Sequence, residues 1–267
     1  MKKSILLTIL CSSILFLSCS SDDENGNNGT NFEIPLNNNN YWTYDVDSEG
    51  TLSRDSLYIS GDVVFNTKTY KKFQTRDDVA TGFYSSSLRN NGVRKSDSKL
   101  LLSGDLSLAP GQNLPINLDL SLDDFVIFNS NASNNQALNS SAVTGSINET
   151  VNGYPLTINY SLQSYGGETL STFATNGVTY SNVKSTKIKL NVSITTVITV
   201  LGSPQTITAL AAQDVLVSTQ YLADGIGVVY TNTVSSYNIN SFIADEFGVP
   251  PTNTQTQEEF LDTYIIN

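Results

Sequence analysis

The sequence predicts an all-β protein: long antiparallel strands in a strongly curled sheet or incomplete barrel, with a two-sheet sandwich as the alternative. Three observations predict it. Apolar and polar residues alternate over long stretches, most clearly Ile188, Leu190, Val192 and Ile194 against Lys187, Lys189, Asn191 and Ser193. Those stretches are rich in Val, Ile, Thr and Tyr, which suit a pleated, half-buried surface. The breaks hold Asn, Gly and Ser, with Asn-Gly pairs at 91–92 and 152–153 that favour tight hairpin turns and a third at 176–177 that begins another strand. Strand length favours the curled sheet over the sandwich, because long strands belong to twisted sheets or barrel walls.

In chain order, Tyr41 to Asp47 alternates, with Trp42, Tyr44 and Val46 on one face, and forms the first strand. Leu57–Ile59 and Val63–Phe65 flank Ser60-Gly61-Asp62, which reads as a turn, and Tyr70–Gln74 continues the pattern. Gly82–Leu88 and Val93–Leu102 are expected as a hairpin about Asn91-Gly92. Ile116, Leu118, Leu120 and Leu122 alternate and run on to Phe125–Phe128; Asn129–Ser141 is a polar loop. A hairpin joins Val143–Thr150 to Tyr154–Leu162 through Asn152-Gly153. Val178–Tyr180, the long strand through Val200, Thr206–Leu210, Val215–Tyr221 and Val228–Ile239 follow. Ser241–Phe247 suits a short helical turn, and Pro250-Pro251 interrupts regular structure. Gln257–Ile266 stays open: Thr254 and the acids after it suit a helix start, whereas Thr263 to Ile266 favour a strand.

The 267-residue chain carries 14 Lys plus Arg against 25 Asp plus Glu, no His, and 29 Asn. The absence of His excludes His-dependent triads and His-ligated metal sites. Lys2 and Lys3 precede an apolar run, Ile5 to Leu17, that is short for a spanning helix and reads as a cleaved signal peptide. Cys11 leaves with it, so no disulfide forms within the mature chain. Asn25 to Asn40 is too poor in apolar residues to fold alone and reads as a spacer. The expected organisation is a signal peptide over 1–18, Cys19 with a flexible acidic and Asn-rich tether over 19–40, and one β-domain over 41–267.

The signal ends in Phe16-Leu17-Ser18-Cys19, which resembles the lipobox of bacterial lipoproteins, with Phe16 where the commonest form has Leu. The resemblance implies cleavage before Cys19 and acylation of its thiol and new amine, and several acyl chains hold a protein on a bilayer stably. The following Ser21, Asp22, Asp23 and Glu24 resemble the surface-export signal of lipoproteins in the Bacteroidota. That likeness implies the outer face of the outer membrane, with a periplasm-facing position as the alternative. The YW-x-Y strand, the YISGDVVFNTKTYKKF stretch and Tyr221 to Tyr230 with its Gly-x-Gly resemble envelope lipoproteins in which one antiparallel sheet curls into an incomplete barrel. Asp55-Ser56-Leu57 resembles the O-glycosylation acceptor motif of the same bacterial group, implying Ser56 as acceptor.

The chemistry-bearing patterns are sparse. Gly225 and Gly227 lack the third glycine and the helix of a dinucleotide fingerprint, so a tight turn or close backbone approach explains them better. Asp77-Asp78, Asp123-Asp124 and Asp245-Glu246 are adjacent, and adjacent strand residues face opposite ways, so surface solvation is expected. No Gly-x-Ser-x-Gly elbow is present. No catalytic residue, metal ligand or cofactor is therefore expected, and the acidic total disfavours nucleic acid. Nine basic residues between Arg54 and Lys99 form a local positive region, read as a solvated sheet face. The expected function is a non-catalytic, lipid-anchored outer-membrane protein that binds a glycan, a lipid or an envelope protein. Trp42, Tyr44, Tyr160 and Tyr221 are the candidates for lining a pocket, with plain core as the alternative. The second expectation is a surface hydrolase, or an accessory subunit of a polysaccharide-processing system, which requires converging acids in a cleft.

Overall fold

The computed structural model of the chain describes residues 32–108, 118–200 and 202–267. Cys19 and the acidic residues after it lie outside the described residues. The described chain is all-β: twelve strands form a nearly closed antiparallel barrel with one unsealed seam. In chain order these are β1 (Tyr41–Ser48), β2 (Thr51–Phe65), β3 (Lys68–Thr75), β4 (Gly92–Ser96), β5 (Lys99–Leu108) and β6 (Leu118–Asn129). The second half comprises β7 (Val143–Val151), β8 (Tyr154–Thr175), β9 (Val178–Val200), β10 (Ser203–Ala223), β11 (Gly227–Asn238) and β12 (Thr252–Ile265). Two short helices, α1 (Phe83–Leu88) and α2 (Ser241–Phe247), interrupt them.

The sheet order is β6-β5-β4-β3-β2-β1-β12-β11-β10-β9-β8-β7, so nearly every strand pairs with its sequence neighbour. The exception is β1 against β12, the first strand against the last. That pairing resolves the ambiguous C-terminal segment: β12 is a strand because β1 and β11 satisfy its backbone on both sides. The Asn-Gly turn at 152–153 adopts positive φ at both residues and joins β7 to β8 as the sequence predicts; Asn176-Gly177, expected only to begin a strand, turns β8 into β9 in the same way.

Other expectations fail for identifiable reasons. Ser60-Gly61-Asp62 is not a turn: β2 runs through it with a bulge between Ile59 and Gly61. The predicted strand Val93–Leu102 is two, β4 and β5, turning at Asp97 with φ 53°. Gly82–Leu88 is not a strand; Phe83–Leu88 is α1. Residues 32–36, expected within the tether, pack against the barrel, with Phe32 buried against Phe128.

The seam lies between β6 and the pair β8–β9. Asn139 bridges part of it with its side chain. Its Oδ1 accepts from the Val126 N–H at 2.8 Å, and its Nδ2 donates to the Val126 carbonyl at 3.1 Å and to Ser164 Oγ at 2.8 Å. A carboxamide carries one acceptor and donors in the arrangement of a peptide, so it replaces the missing strand there. Thr186 Oγ1 donates to the Ile127 carbonyl at 2.9 Å, and Ser164 Oγ donates to the Val126 carbonyl. Outside, Leu138 and Ala132 cover Leu101 and Val126 in a small separate apolar cluster.

On β1 and β2 the inward face is amphipathic along the strand. Inward-facing residues of β1 run Trp42, Tyr44, Val46 and Ser48; those of β2 run Ile59, Leu57, Asp55, Ser53 and Thr51. One end is therefore apolar and the other polar. Trp42 and Ser48 are six residues apart, about 20 Å at strand rise. The apolar end is packed by Trp42, Tyr44, Leu57, Ile59, Phe73 and Tyr84 and closed by Ile34, Pro35 and Leu36. The void left there is only about 30 Å³.

Candidate functional site: a polar mouth floored by a capped helix

At the polar end α1 lies across the barrel as a floor. It has six residues and bad local prospects as an isolated helix, since nucleation alone is unfavourable. Three side chains from the barrel wall hold its start. Asp55 of β2 accepts from the Thr81 N–H at 2.9 Å and the Gly82 N–H at 2.8 Å. Gln257 of β12 accepts from the Phe83 N–H at 2.7 Å, and Glu259 of β12 accepts from Tyr84 at 2.7 Å and Ser85 at 3.4 Å. Five successive backbone N–H groups, which a helix start leaves without intrahelical partners, are thus satisfied from two strands. Gly82 is required because a Cβ there would overlap the Glu259 carboxylate.

Glu259 is fully buried, and Thr231 Oγ1 also donates to it at 3.1 Å. Burial pushes its carboxyl up to about 7; Asp55 nearby adds to the rise, and the donors from Tyr84, Thr231 and Ser85 oppose it. Tyr44 and Tyr84 beside it are also raised, chiefly by burial. Asp55 and Glu259 are converging acids, yet they aim at backbone N–H groups under the floor and do not open into a cleft. They are structural caps.

Above the floor the mouth forms two adjoining lobes that share Ser48, Thr51 and Gln257. The wider, about 700 Å³, reaches past Ser53, Ser86, Arg89 and Asp105 to Phe65. The narrower, about 390 Å³, runs past Thr233, Ser235 and Gln255 to Phe83 and Leu216. Hydroxyls and carboxamides dominate both, with an apolar surface in each. Asn91 forms one edge of the wider lobe and repeats the Asn139 device: its Oδ1 accepts from the Asp105 N–H and its Nδ2 donates to the Asp105 carbonyl, both at 2.9 Å.

The four aromatic residues expected to line a pocket do not converge. Trp42 and Tyr44 are core at the apolar end, where Trp42 Nε1 donates to the Ile226 carbonyl at 2.8 Å and Tyr44 OH to the Val228 carbonyl at 3.0 Å. Those contacts and φ 105° at Gly227 account for the Gly-x-Gly as a turn. Tyr160 lies over Gly145 of the neighbouring strand. Tyr221 belongs to an outer-wall row with Phe173, Tyr230 and Phe260, where it stacks on Phe173 at 4.4 Å. Ring faces in that stack are turned to one another and not to solvent, which marks a cross-strand ladder. Ser56 is half-buried in the middle of β2, opposite Thr43.

The mouth residues were missed in the sequence, although a signal was present. Thr231, Thr233 and Ser235 share strand parity with Val229 and Tyr237, and Ser48 with Val46 and Tyr44. Polar residues at core-face positions break the binary pattern, and such breaks mark functional surfaces.

The chain is thus a small-mouthed antiparallel barrel with a filled apolar base. No family model matches it, and no curated protein matches it. Among solved structures it is similar to one from Parabacteroides distasonis ATCC 8503, described as a "putative lipoprotein", at 10% identity, covering 87% of this chain and 97% of that one, with a TM-score of 0.37.

Proposed function

We propose that the chain is a non-catalytic outer-membrane protein, lipid-anchored through Cys19 and held at the cell surface by the Ser21–Glu24 signal, whose polar mouth binds a glycan. The observation that carries this reading is the lining of the mouth. Ser48, Thr51, Ser53 and Gln255 offer groups that both donate and accept hydrogen bonds, as sugar hydroxyls do. Phe65, partly exposed in the wider lobe, supplies apolar surface for the C–H face of a sugar ring. The lobes fall in the usual size range of ligand sites. Carriage of a lipid is disfavoured by the filled base, where about 30 Å³ holds no acyl chain. Phe32, the first described residue, packs on Phe128 at the apolar end, away from the mouth.

Three experiments test it. Intact-mass analysis of the native protein is expected to show an acylated N-terminal Cys19, and protease treatment of whole cells is expected to remove the domain. Binding to immobilised oligosaccharides is expected in the wild type and lost in Thr51→Trp, which fills the junction of the two lobes from an exposed position. Retention of binding by a folded Thr51→Trp protein contradicts the assignment of the site.

A further inference from the structure

The charges around the mouth narrow the ligand class further, an inference that rests on the glycan reading. Two carboxylates line it: Glu49 in the narrower lobe and Asp105 in the wider. Beneath the floor lie the two buried carboxyl groups of Asp55 and Glu259. Among the described residues Arg89 is the lining cation, and its guanidinium is engaged: Nη1 donates to the Asp78 carbonyl at 2.5 Å and sits 3.9 Å from the Asp78 carboxylate. Four other cations of the basic region between Arg54 and Lys99 are paired elsewhere, and Lys72, Arg76, Lys95 and Lys99 are not among the residues that line the mouth. Arg94 grips Asp124 with two bonds of 2.7 Å, joined there by Lys68. Lys71 pairs with Asp62 at 2.6 Å, and Arg54 pairs with Asp45 and Asp262. The positive region of the sequence therefore supplies little unpaired charge to the mouth.

We propose that the mouth selects uncharged oligosaccharides, two or more sugar units long, and rejects uronic-acid and other acidic chains. A carboxylate on each sugar ring would meet Glu49 in one lobe and Asp105 in the other; both are solvent-exposed, so the like-charge repulsion is strongest at low ionic strength. Chain length follows from the layout: the two lobes meet at the shared Ser48–Thr51–Gln257 junction, and only a ligand that crosses it occupies both. The repulsion is electrostatic and so must weaken with salt, whereas hydroxyl recognition is nearly indifferent to it.

The test uses the full processed chain in detergent and an array of neutral hexasaccharides, each paired with its uronate counterpart of the same linkage: mannan with mannuronan, glucan with glucuronan, galactan with galacturonan. The expected result is at least one neutral hexamer bound at least tenfold more tightly than its uronate partner at low ionic strength. The ratio is expected to shrink in 0.5 M salt and to fall toward one in the double variant Glu49→Gln, Asp105→Asn. A disaccharide of the preferred sugar is expected to bind more weakly than the hexamer. A uronate bound as tightly as its neutral partner in the wild type, or a ratio unchanged in the folded double variant, overturns the proposal while leaving glycan binding intact. Binding of no chain of either kind overturns the glycan reading itself, and this inference with it.

Discussion

Replacing Asn139 with Ala removes the one side chain that stands in for a strand at the seam. In the wild type its carboxamide makes three hydrogen bonds, of 2.8, 3.1 and 2.8 Å, to the Val126 backbone and Ser164. The variant leaves the Val126 N–H without its acceptor, whereas the Val126 carbonyl keeps the Ser164 hydroxyl. An orphaned buried donor costs about 1–3 kcal/mol, and each lost neutral bond contributes about 1 kcal/mol. Because Asn139 is only half-buried, water offsets part of this, and a net loss of about 1.5–3 kcal/mol is expected. For a domain of this size that lowers Tm by about 3–10 °C. Asn139→Asp, which keeps the acceptor but sets a carboxylate against the Val126 carbonyl, is expected to be at least as damaging. Urea unfolding gives the magnitude, and hydrogen exchange gives the place: protection should fall first at residues 126–128 and 164–166. A loss under about 0.5 kcal/mol with unchanged exchange at Val126 would refute the view that a side chain seals the barrel.

Other perturbations address the floor and the outer wall. The Glu259 carboxyl is raised in the folded state, so folding takes up a proton; its penalty is full above pH 7 and is relieved as pH falls from 7 toward the ordinary value near 4.5. Stability from this group is therefore expected to rise by on the order of 2–3 kcal/mol between pH 8 and pH 4.5, and Glu259→Gln should flatten that dependence in urea titrations. Gly82→Ala is expected to cost about 2–4 kcal/mol, because its methyl group displaces the cap of α1; calorimetry reads it, and an unchanged Tm would remove the case for the cap. Asp124 is held well below the usual carboxylate range, mainly by hydrogen bonds from the Arg94 guanidinium. Its stabilisation is present above pH 4 and lost as pH falls below it, so Asp124→Asn should narrow the difference between urea midpoints at pH 7 and pH 2.

Much of the wall was legible because strand alternation is local. The face of β9 that carries Ile188, Leu190 and Val192 follows from period two alone, and the hairpin at Asn152-Gly153 follows from its turn residues. The helix α1 was not, because its stabilising partners are remote: Gln257 and Glu259 lie more than 170 residues away and Asp55 lies 26 residues from Thr81. Locally, Phe83 and Tyr84 look like strand residues. The same distance hid the mouth, since Gln255 and Gln257 suggest a helix start until β1 and β11 fix them as strand. The four aromatic residues at 42, 44, 160 and 221 do not mark a shared pocket, because burial of rings, the alternative stated for them, is the default use of aromatic side chains in a β-core. Polar inward positions, not aromatic ones, are what distinguish the open end from the filled one.

Hydrogen exchange of the protein with and without a saturating bound hexasaccharide places the ligand directly. The account predicts slowed exchange at the β1–β2 turn around residues 48–51, at the floor around residues 80–86, and at residues 255–257 of β12. Protection confined to the strap at 32–36, or to the outer row around Tyr221, Tyr230 and Phe260, would contradict it.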